Sequence, residues 1–348
     1  MKKLNKTRKG KKLLILFLCG MLTIPTLTAC TAGSKLIFMG RLSGNEVFRI
    51  GSNVCTLPEL KVYLTTAQKQ YENILGVDMW ERDFGGVTLE SYLKETILGQ
   101  IAQIKSMTLL AEEYGIELSE AEQKKVSEAA KKYYDSLNDA EKKYLEVEEE
   151  TIADLYRDYA LANKVYEEIT QNVETEVSDD EARKITVQEI LLKVNEEDTE
   201  EQKKEQYKKA KRILRQAKKD DANFLEIAEE NSENEIIEYT FGKGEQEQEI
   251  EIAAFNLATD QISDIVETSS GYVIMKCVSN FDREQTDANK AEIVKKRKTE
   301  AFDDIYEEFI SKQPSQLNDK LWESITFTDD DEINNMTFFE VYNEVFGV

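Results

Sequence analysis

Imidazole chemistry is missing from this chain. None of its 348 residues is histidine, which removes Ser-His-Asp triads, Cys-His pairs, imidazole metal centres and histidine general bases together. The reactive groups that remain are four cysteines and a surplus of carboxylates, 69 Asp and Glu against 45 Lys and Arg. The carboxylates are not spaced as metal ligands. Asp329, Asp330 and Asp331 lack the glycine and the terminal glutamate of a calcium loop, so this run reads as a solvated acidic turn. Gly242-Lys243-Gly244 has neither the length nor the context of a phosphate-binding loop. No metal and no cofactor are expected.

Among the thiols, Cys30 stands apart by position. Residues 1–12 are basic, and residues 13–27 form an apolar stretch broken by Pro25, shorter than the roughly 20 residues that a spanning helix needs. Leu27-Thr28-Ala29-Cys30 follows and resembles a bacterial lipobox. That resemblance implies a signal peptide over residues 1–29, lipidation of Cys30 and a membrane attachment through acyl chains, of which two hold firmly and one marginally. An uncleaved signal-anchor helix is the alternative. Electrostatics cannot supply the attachment. The leader holds Lys2, Lys3, Lys6, Arg8, Lys9, Lys11 and Lys12 and no acid, so the rest of the chain is more acidic than the overall net charge of −24. Such a surface repels phosphate backbones and anionic headgroups, and no nucleic-acid partner is expected. Cys55 and Cys277 remain, and a single disulfide or two buried free thiols both fit.

The elements that position these groups follow from periodicity and caps. After a small-residue tether over residues 30–45, Phe48, Ile50 and Val54 suggest a short strand. Thr56-Leu57-Pro58-Glu59 combines a capping box with proline just inside a helix start, and this helix is expected to run to about Leu75. WERDFGG makes a turn, and Thr88 opens a long helix with Leu89, Tyr92, Leu93, Ile97, Ile101, Ile104 and Leu109 at steps of three and four, stopped by Gly115. Further helices are predicted after Ser119, from Asp139 to Val147 and from Thr151 to Val173. The pattern changes at the capping box Ser178-Asp179-Asp180-Glu181, after which Ile185–Leu192 reads as a buried strand. Helices over 199–219 and 222–230 and strands near Tyr239–Phe241, Asp264–Glu267 and Tyr272–Val278 complete an alternating segment. Helical periodicity returns from Thr286 to Ile310. Leu321, Trp322, Ile325 and Phe327 form an apolar tail segment before an acidic end.

Residues 185–279 resemble a parvulin-type, PpiC-like peptidyl-prolyl isomerase domain. Phe241-x-Lys243-Gly244 is followed five, nine and fourteen residues after Phe241 by Gln246, Ile250 and Phe255, within Ala253-Ala254-Phe255-Asn256-Leu257. Phe224-Leu225-Glu226-Ile227-Ala228 before Asn231-Ser232, Gln261-Ile262-Ser263, and Ser270-Gly271-Tyr272-Val273-Ile274-Met275-Lys276 stand in the same register. With the lipobox and the helical region, the whole resembles the PrsA-type foldase lipoproteins of Gram-positive bacteria, whose helical parts are similar to the SurA chaperone module. The resemblance implies an α+β multi-domain chain. Its parts are a helical SurA-like unit over 46–177, a parvulin-like α/β domain over 178–282, and a segment 283–348 packing back on the helical unit. It also implies a place on the extracytoplasmic face of the membrane and, as partners, unfolded or partly folded secreted polypeptides. No heptad run specifies a dimer, and a homodimer through the helical unit stays open.

The departures from the family pattern bear on activity. Glu189 and Val273 stand at the two histidine positions of the family, Asn234 at its loop acid or cysteine, and Gln246 and Ile250 at the Met and Phe of the proline pocket. The resemblance assigns peptide binding to Gln246, Ile250 and Phe255. Prolyl isomerisation breaks no bond. It rotates an amide over a barrier of about 18–20 kcal/mol, so catalysis consists of binding the twisted amide better than the planar one. A carboxylate and an isopropyl group in place of two imidazoles, with a polar pocket wall, leave two readings open, a working isomerase and a non-catalytic holdase or envelope scaffold. A solute-binding lipoprotein is a remote alternative, since two doubly wound domains would not open with over a hundred helical residues.

Overall fold

The computed structural model describes residues 42–348 apart from 81, 83, 84 and 196. The leader, Cys30 and most of the tether lie outside the described residues, as do three residues of the WERDFGG turn. The described chain divides into two compact units, one running up to Asn172 and resuming at Thr299–Val348, the other spanning Val173–Lys298. Helices and sheet are both present, so the fold class is α+β as expected.

The first unit opens with a hairpin rather than the single strand expected. Strands β1 (Glu46–Ile50) and β2 (Asn53–Thr56) pair antiparallel. The reversal rests on Gly51 at φ 54, where an added Cβ would also meet a Leu109 methyl at 2.9 Å. Helix α1 (Leu57–Leu75) starts on the Thr56/Glu59 capping box. Helix α2 (Leu89–Tyr114) is capped by Thr88 and stopped by Gly115 in the left-handed region. Helices α3 (Glu120–Ser136), α4 (Asp139–Leu145) and α5 (Glu149–Thr170) follow, α3 and α4 on capping boxes of their own. The apolar stripes turn inward: Leu93, Ile97, Ile101 and Ile104 of α2 and Ile152, Leu155 and Val165 of α5 are buried in one core.

In the second unit the short helix α6 (Asp179–Ala182) leads into β3 (Ile185–Lys193). Helices α7 (Glu200–Ala217) and α8 (Phe224–Asn231), strand β4 (Glu238–Phe241), helix α9 (Gln248–Phe255) and strands β5 (Val266–Thr268) and β6 (Gly271–Ser279) complete it. The sheet order is β4-β3-β6-β5, antiparallel throughout. Ile185, Val187 and Leu191 of β3 face a core with Phe241, Ile250 and Val273. Ile190 and Leu192 face the opposite core, roofed by Ala210 and Ile213 of α7 and Phe224 and Ile227 of α8. Cover on both faces is why β3 reads as a near-continuous apolar run. Gly271 fixes the start of β6 against β3, because a Cβ there would sit 2.1 Å from the Leu192 carbonyl oxygen.

Helix α10 (Arg283–Ile310) begins in the second unit and ends in the first. Three short elements follow it in the first unit: β7 (Ser315–Leu317), which pairs with β1, α11 (Asp319–Ser324) and α12 (Phe338–Phe346). The sequence reading missed β7 and α12, taking the end of the chain for an acidic tail. Yet Phe338 of α12 is fully buried. Its ring stacks on Tyr156 at 4.3 Å with planes 7° apart, and the Tyr156 hydroxyl donates to its carbonyl at 2.7 Å. Cys55 and Cys277 are both buried free thiols, and burial pushes each above the ordinary thiol range. No helix among the described residues is long and apolar enough to cross a membrane.

Phe338→Ala is expected to destabilise the first unit by about 3–5 kcal/mol, the usual cost of an aromatic-sized cavity. Trp80 and Trp322, the two tryptophans of the chain, both lie in that unit, so tryptophan fluorescence during denaturant unfolding measures it separately.

Candidate functional site

Alternation along β3 carries Glu189 to the same face as Val187 and Leu191, and it is only 4% exposed. A carboxylate there must find donors inside the protein. The Tyr239 hydroxyl donates to Oε2 at 2.5 Å, and the Asn234 side-chain amide donates to Oε1 at 3.2 Å. Tyr239 reaches it from β4, where it pairs with Val187. Asn234 reaches it from the loop between α8 and β4, which is stitched to β3. In that loop the Glu189 backbone N–H donates to the Ile237 carbonyl at 2.7 Å and Glu233 N–H donates to the Leu191 carbonyl at 2.8 Å. Ser232 Oγ accepts from the Leu191 N–H at 3.1 Å.

The Tyr239 phenol is held well above its ordinary range, first by burial and then by its hydrogen bond to Glu189 and that group's charge. It therefore stays protonated at physiological pH, and its single proton is committed to Glu189. Nothing polar answers from β6. Met275 stands opposite Glu189 and Val273 opposite Leu191, both buried.

The remaining candidates separate. Ile250, on the inner face of α9, is buried in the same core as Val273. Phe255, half-buried, meets Phe241 edge-on at 5.8 Å. The Arg183 guanidinium lies 4.8 Å from the Phe255 ring centroid and donates to the Phe255 carbonyl at 3.1 Å. Gln246 is exposed in the loop before α9, its backbone N–H donating to Glu251 at 3.1 Å. The structure thus joins Glu189 to Asn234, gathers Val273, Ile250 and Phe255 into one apolar cluster and leaves Gln246 in solvent. Sequence reasoning missed Tyr239 and Arg183. The alternation of Glu238-Tyr239-Thr240-Phe241 was a usable signal for Tyr239, since it sets that ring on the face of buried Phe241. Among the described residues no group of three or more Cys, Asp or Glu side chains is placed to hold a metal.

Chemically this is a buried carboxylate with one neutral donor on each oxygen and an apolar surround that includes Val273, Ile250 and Phe255. It offers no acid-base pair. Residues 190–279 match the family "Rotamase: PPIC-type PPIASE domain". The second unit carries a domain of that class, the match starting one residue after Glu189. At the level of particular proteins, the chain is similar to "Foldase protein PrsA" of Streptococcus mutans, 29% identical over 180 residues, which cover 49% of this chain and 52% of the relative. The chain thus spans about half the length of the curated relative it matches. A solved structure of "Peptidylprolyl Isomerase (PrsA)" from Bacillus cereus is 18% identical, with 83% of this chain and 95% of that one covered and a TM-score of 0.36. A Campylobacter jejuni structure, from work describing PEB4 and Cj1289 as SurA-like chaperones, is 13% identical, with 78% and 98% covered and a TM-score of 0.28.

Tyr239→Phe is expected to cost the second unit about 1.5–3 kcal/mol, the range for a hydrogen bond to a charged group, measured by hydrogen exchange of β3 amides at neutral pH. The pH dependence has a definite sign. The folded phenol ionises above its ordinary value of 10.0, so its stabilisation is complete below that value and is lost as the pH rises through and past it. Alkaline unfolding of the second unit, followed by circular dichroism, should become less steep in Tyr239→Phe.

Proposed function

We propose that this chain is a membrane-tethered, extracytoplasmic folding helper whose PPIC-type domain holds polypeptide segments with little prolyl isomerase turnover. The observation that carries this reading is the closed network at Glu189. Stabilising a twisted prolyl amide calls for a donor offered to the substrate and an apolar pocket for the ring. Here the one hydroxyl proton of Tyr239 is spent on Glu189, and Ile250 is buried in the core rather than open to a ring. Each 1.36 kcal/mol of lost transition-state binding is tenfold in rate, so a site with no free donor and no open ring pocket is expected to leave exchange close to background.

The foldase part of the reading is supported by the PPIC match and by the printed name of the Streptococcus relative. Attachment is proposed through acyl chains on Cys30, on the strength of Leu27-Thr28-Ala29-Cys30. The clients are unfolded or partly folded secreted polypeptides. A homodimer through the helical unit is compatible with this role.

Two measurements test it. In an Xaa-Pro exchange assay with several residues before proline and a histidine-containing parvulin as control, the expected result is exchange near the uncatalysed rate. The same preparation should suppress aggregation of a denatured client. Strong catalysis would overturn the holding role, and failure in both assays would remove the folding role. For the anchor, Cys30→Ser is expected to move the protein out of the membrane fraction, with loss of the acyl mass by mass spectrometry.

A further inference from the structure

We propose that a cleft in the first unit is a second client site that takes polypeptide segments bearing Lys or Arg side chains. The cleft has a volume of about 850 Å³ and is walled by the start of α1, by α2, by the loop after Gly115 and by α5. At its floor lies Lys105, with its side chain 9% exposed. The ammonium bonds Glu59 Oε1 at 2.6 Å and Asp158 Oδ2 at 2.8 Å. One cation between two carboxylates leaves a negative charge over, and an ammonium has three donors, of which these bonds use two. Burial pushes the Asp158 carboxyl above the ordinary range in spite of Lys105 beside it.

The mouth adds charge of the same sign. Arg157 is cancelled by its ion pair with Asp154. Glu112 and Glu117 line the cleft, are exposed, and have no cation partner among the described residues. The rest of the lining is mixed: Val54, Ile116, Leu118 and Leu161 give it apolar surface beside the polar Asn53, Thr108 and Gln123. An anionic mouth, a wall with apolar patches and a floor with a donor to spare fit one guest chemistry. A Lys or Arg residue has a hydrocarbon stem for the wall, a cationic head for the carboxylates and a backbone carbonyl to accept from Lys105. A bare metal ion would leave the apolar patches unused. That the guest belongs to a client chain rests on the folding-helper reading.

The test is a titration of the full-length chain, in non-ionic detergent, with a labelled Gly/Ser peptide carrying several lysines. Its counterpart with glutamate in place of lysine, and spermidine alone, serve as comparisons. Saturable binding of the lysine peptide only is expected, weakening about tenfold from low to physiological salt. Glu112→Gln/Glu117→Gln should weaken it about five- to thirtyfold, at up to about 1 kcal/mol for each exposed charge. Glu128→Gln/Glu150→Gln makes the same charge change at exposed positions that do not line the cleft, and should leave binding within about twofold. Equal loss in both double variants would assign the attraction to the acidic surface as a whole and overturn the proposal. So would equal affinity for the glutamate peptide, spermidine binding as tight as the peptide, or no binding by chain shown to be folded by circular dichroism. Lysine-peptide binding with neither prolyl exchange nor suppression of client aggregation would keep the cleft and remove the folding role. Suppression without lysine-peptide binding would do the reverse.

Discussion

An ionised carboxylate taken out of water loses several kcal/mol of solvation unless groups inside the protein replace it. The packing around Glu189 is arranged to meet that demand. Its side chain is turned inward by the alternation of β3, so Tyr239 must arrive on the matching face of β4, and this sets the Val187↔Tyr239 register. The loop after α8 must then bring Asn234 within 3.2 Å. Ser232, Glu233 and Ile237 bond that same loop to the β3 backbone. A one-residue slip of β4 would turn Tyr239 to the opposite face and leave the carboxylate with one donor. On this face of the sheet, the polar groups of Tyr239 and Asn234 are committed to satisfying the buried charge of Glu189.

Much of the fold could be read in advance because its signals are local. Thr56 and Glu59, Ser119 and Glu122, and Thr199 and Gln202 are separated by three residues, and each pair closes its capping box within one turn of backbone. Stripes of apolar residues in α2 and α5 are equally local. The missed elements depend on distant partners. Strand β7 has three exposed residues and exists because β1 offers an edge. Helix α12 is nine residues long, too short to be stable alone, and owes its order to rings from α1, α3 and α5 around Phe338. The acidic run before it masked the alternation of Phe338, Val341 and Tyr342.

At the candidate site the same division holds. That Ile185–Leu192 forms a buried strand was legible from its branched and aliphatic residues, but that Glu189 turns inward rather than to solvent was not. Nor was it legible which donors would serve it, because Asn234 and Tyr239 are 45 and 50 residues away and neither belongs to a motif with fixed spacing to β3. Glu59 illustrates the limit further. Its capping role is written in Thr56-Leu57-Pro58-Glu59, but its second oxygen binds Lys105, 46 residues on, and no local pattern announces an ion pair.

The two buried carboxylate clusters use different chemistry, and the difference decides what each can do. Around Glu189 the donors are neutral, so the cluster keeps one negative charge, yet both carboxylate oxygens are satisfied and Met275 and Val273 seal the β6 side. Around Lys105 the donor is a cation shared by Glu59 and Asp158, and the surplus charge opens onto a cleft rather than onto packed methyl groups. A carboxylate bonded at both oxygens behind apolar side chains is closed to a ligand and contributes to the order of its sheet. An under-neutralised pair at the base of an open cleft gains from any cation that enters, and in low dielectric that gain is larger than at an exposed surface. In a chain of net charge −24, selectivity for basic segments therefore follows from where neutralisation stops short, and Glu112 and Glu117 place that shortfall at the cleft of the first unit.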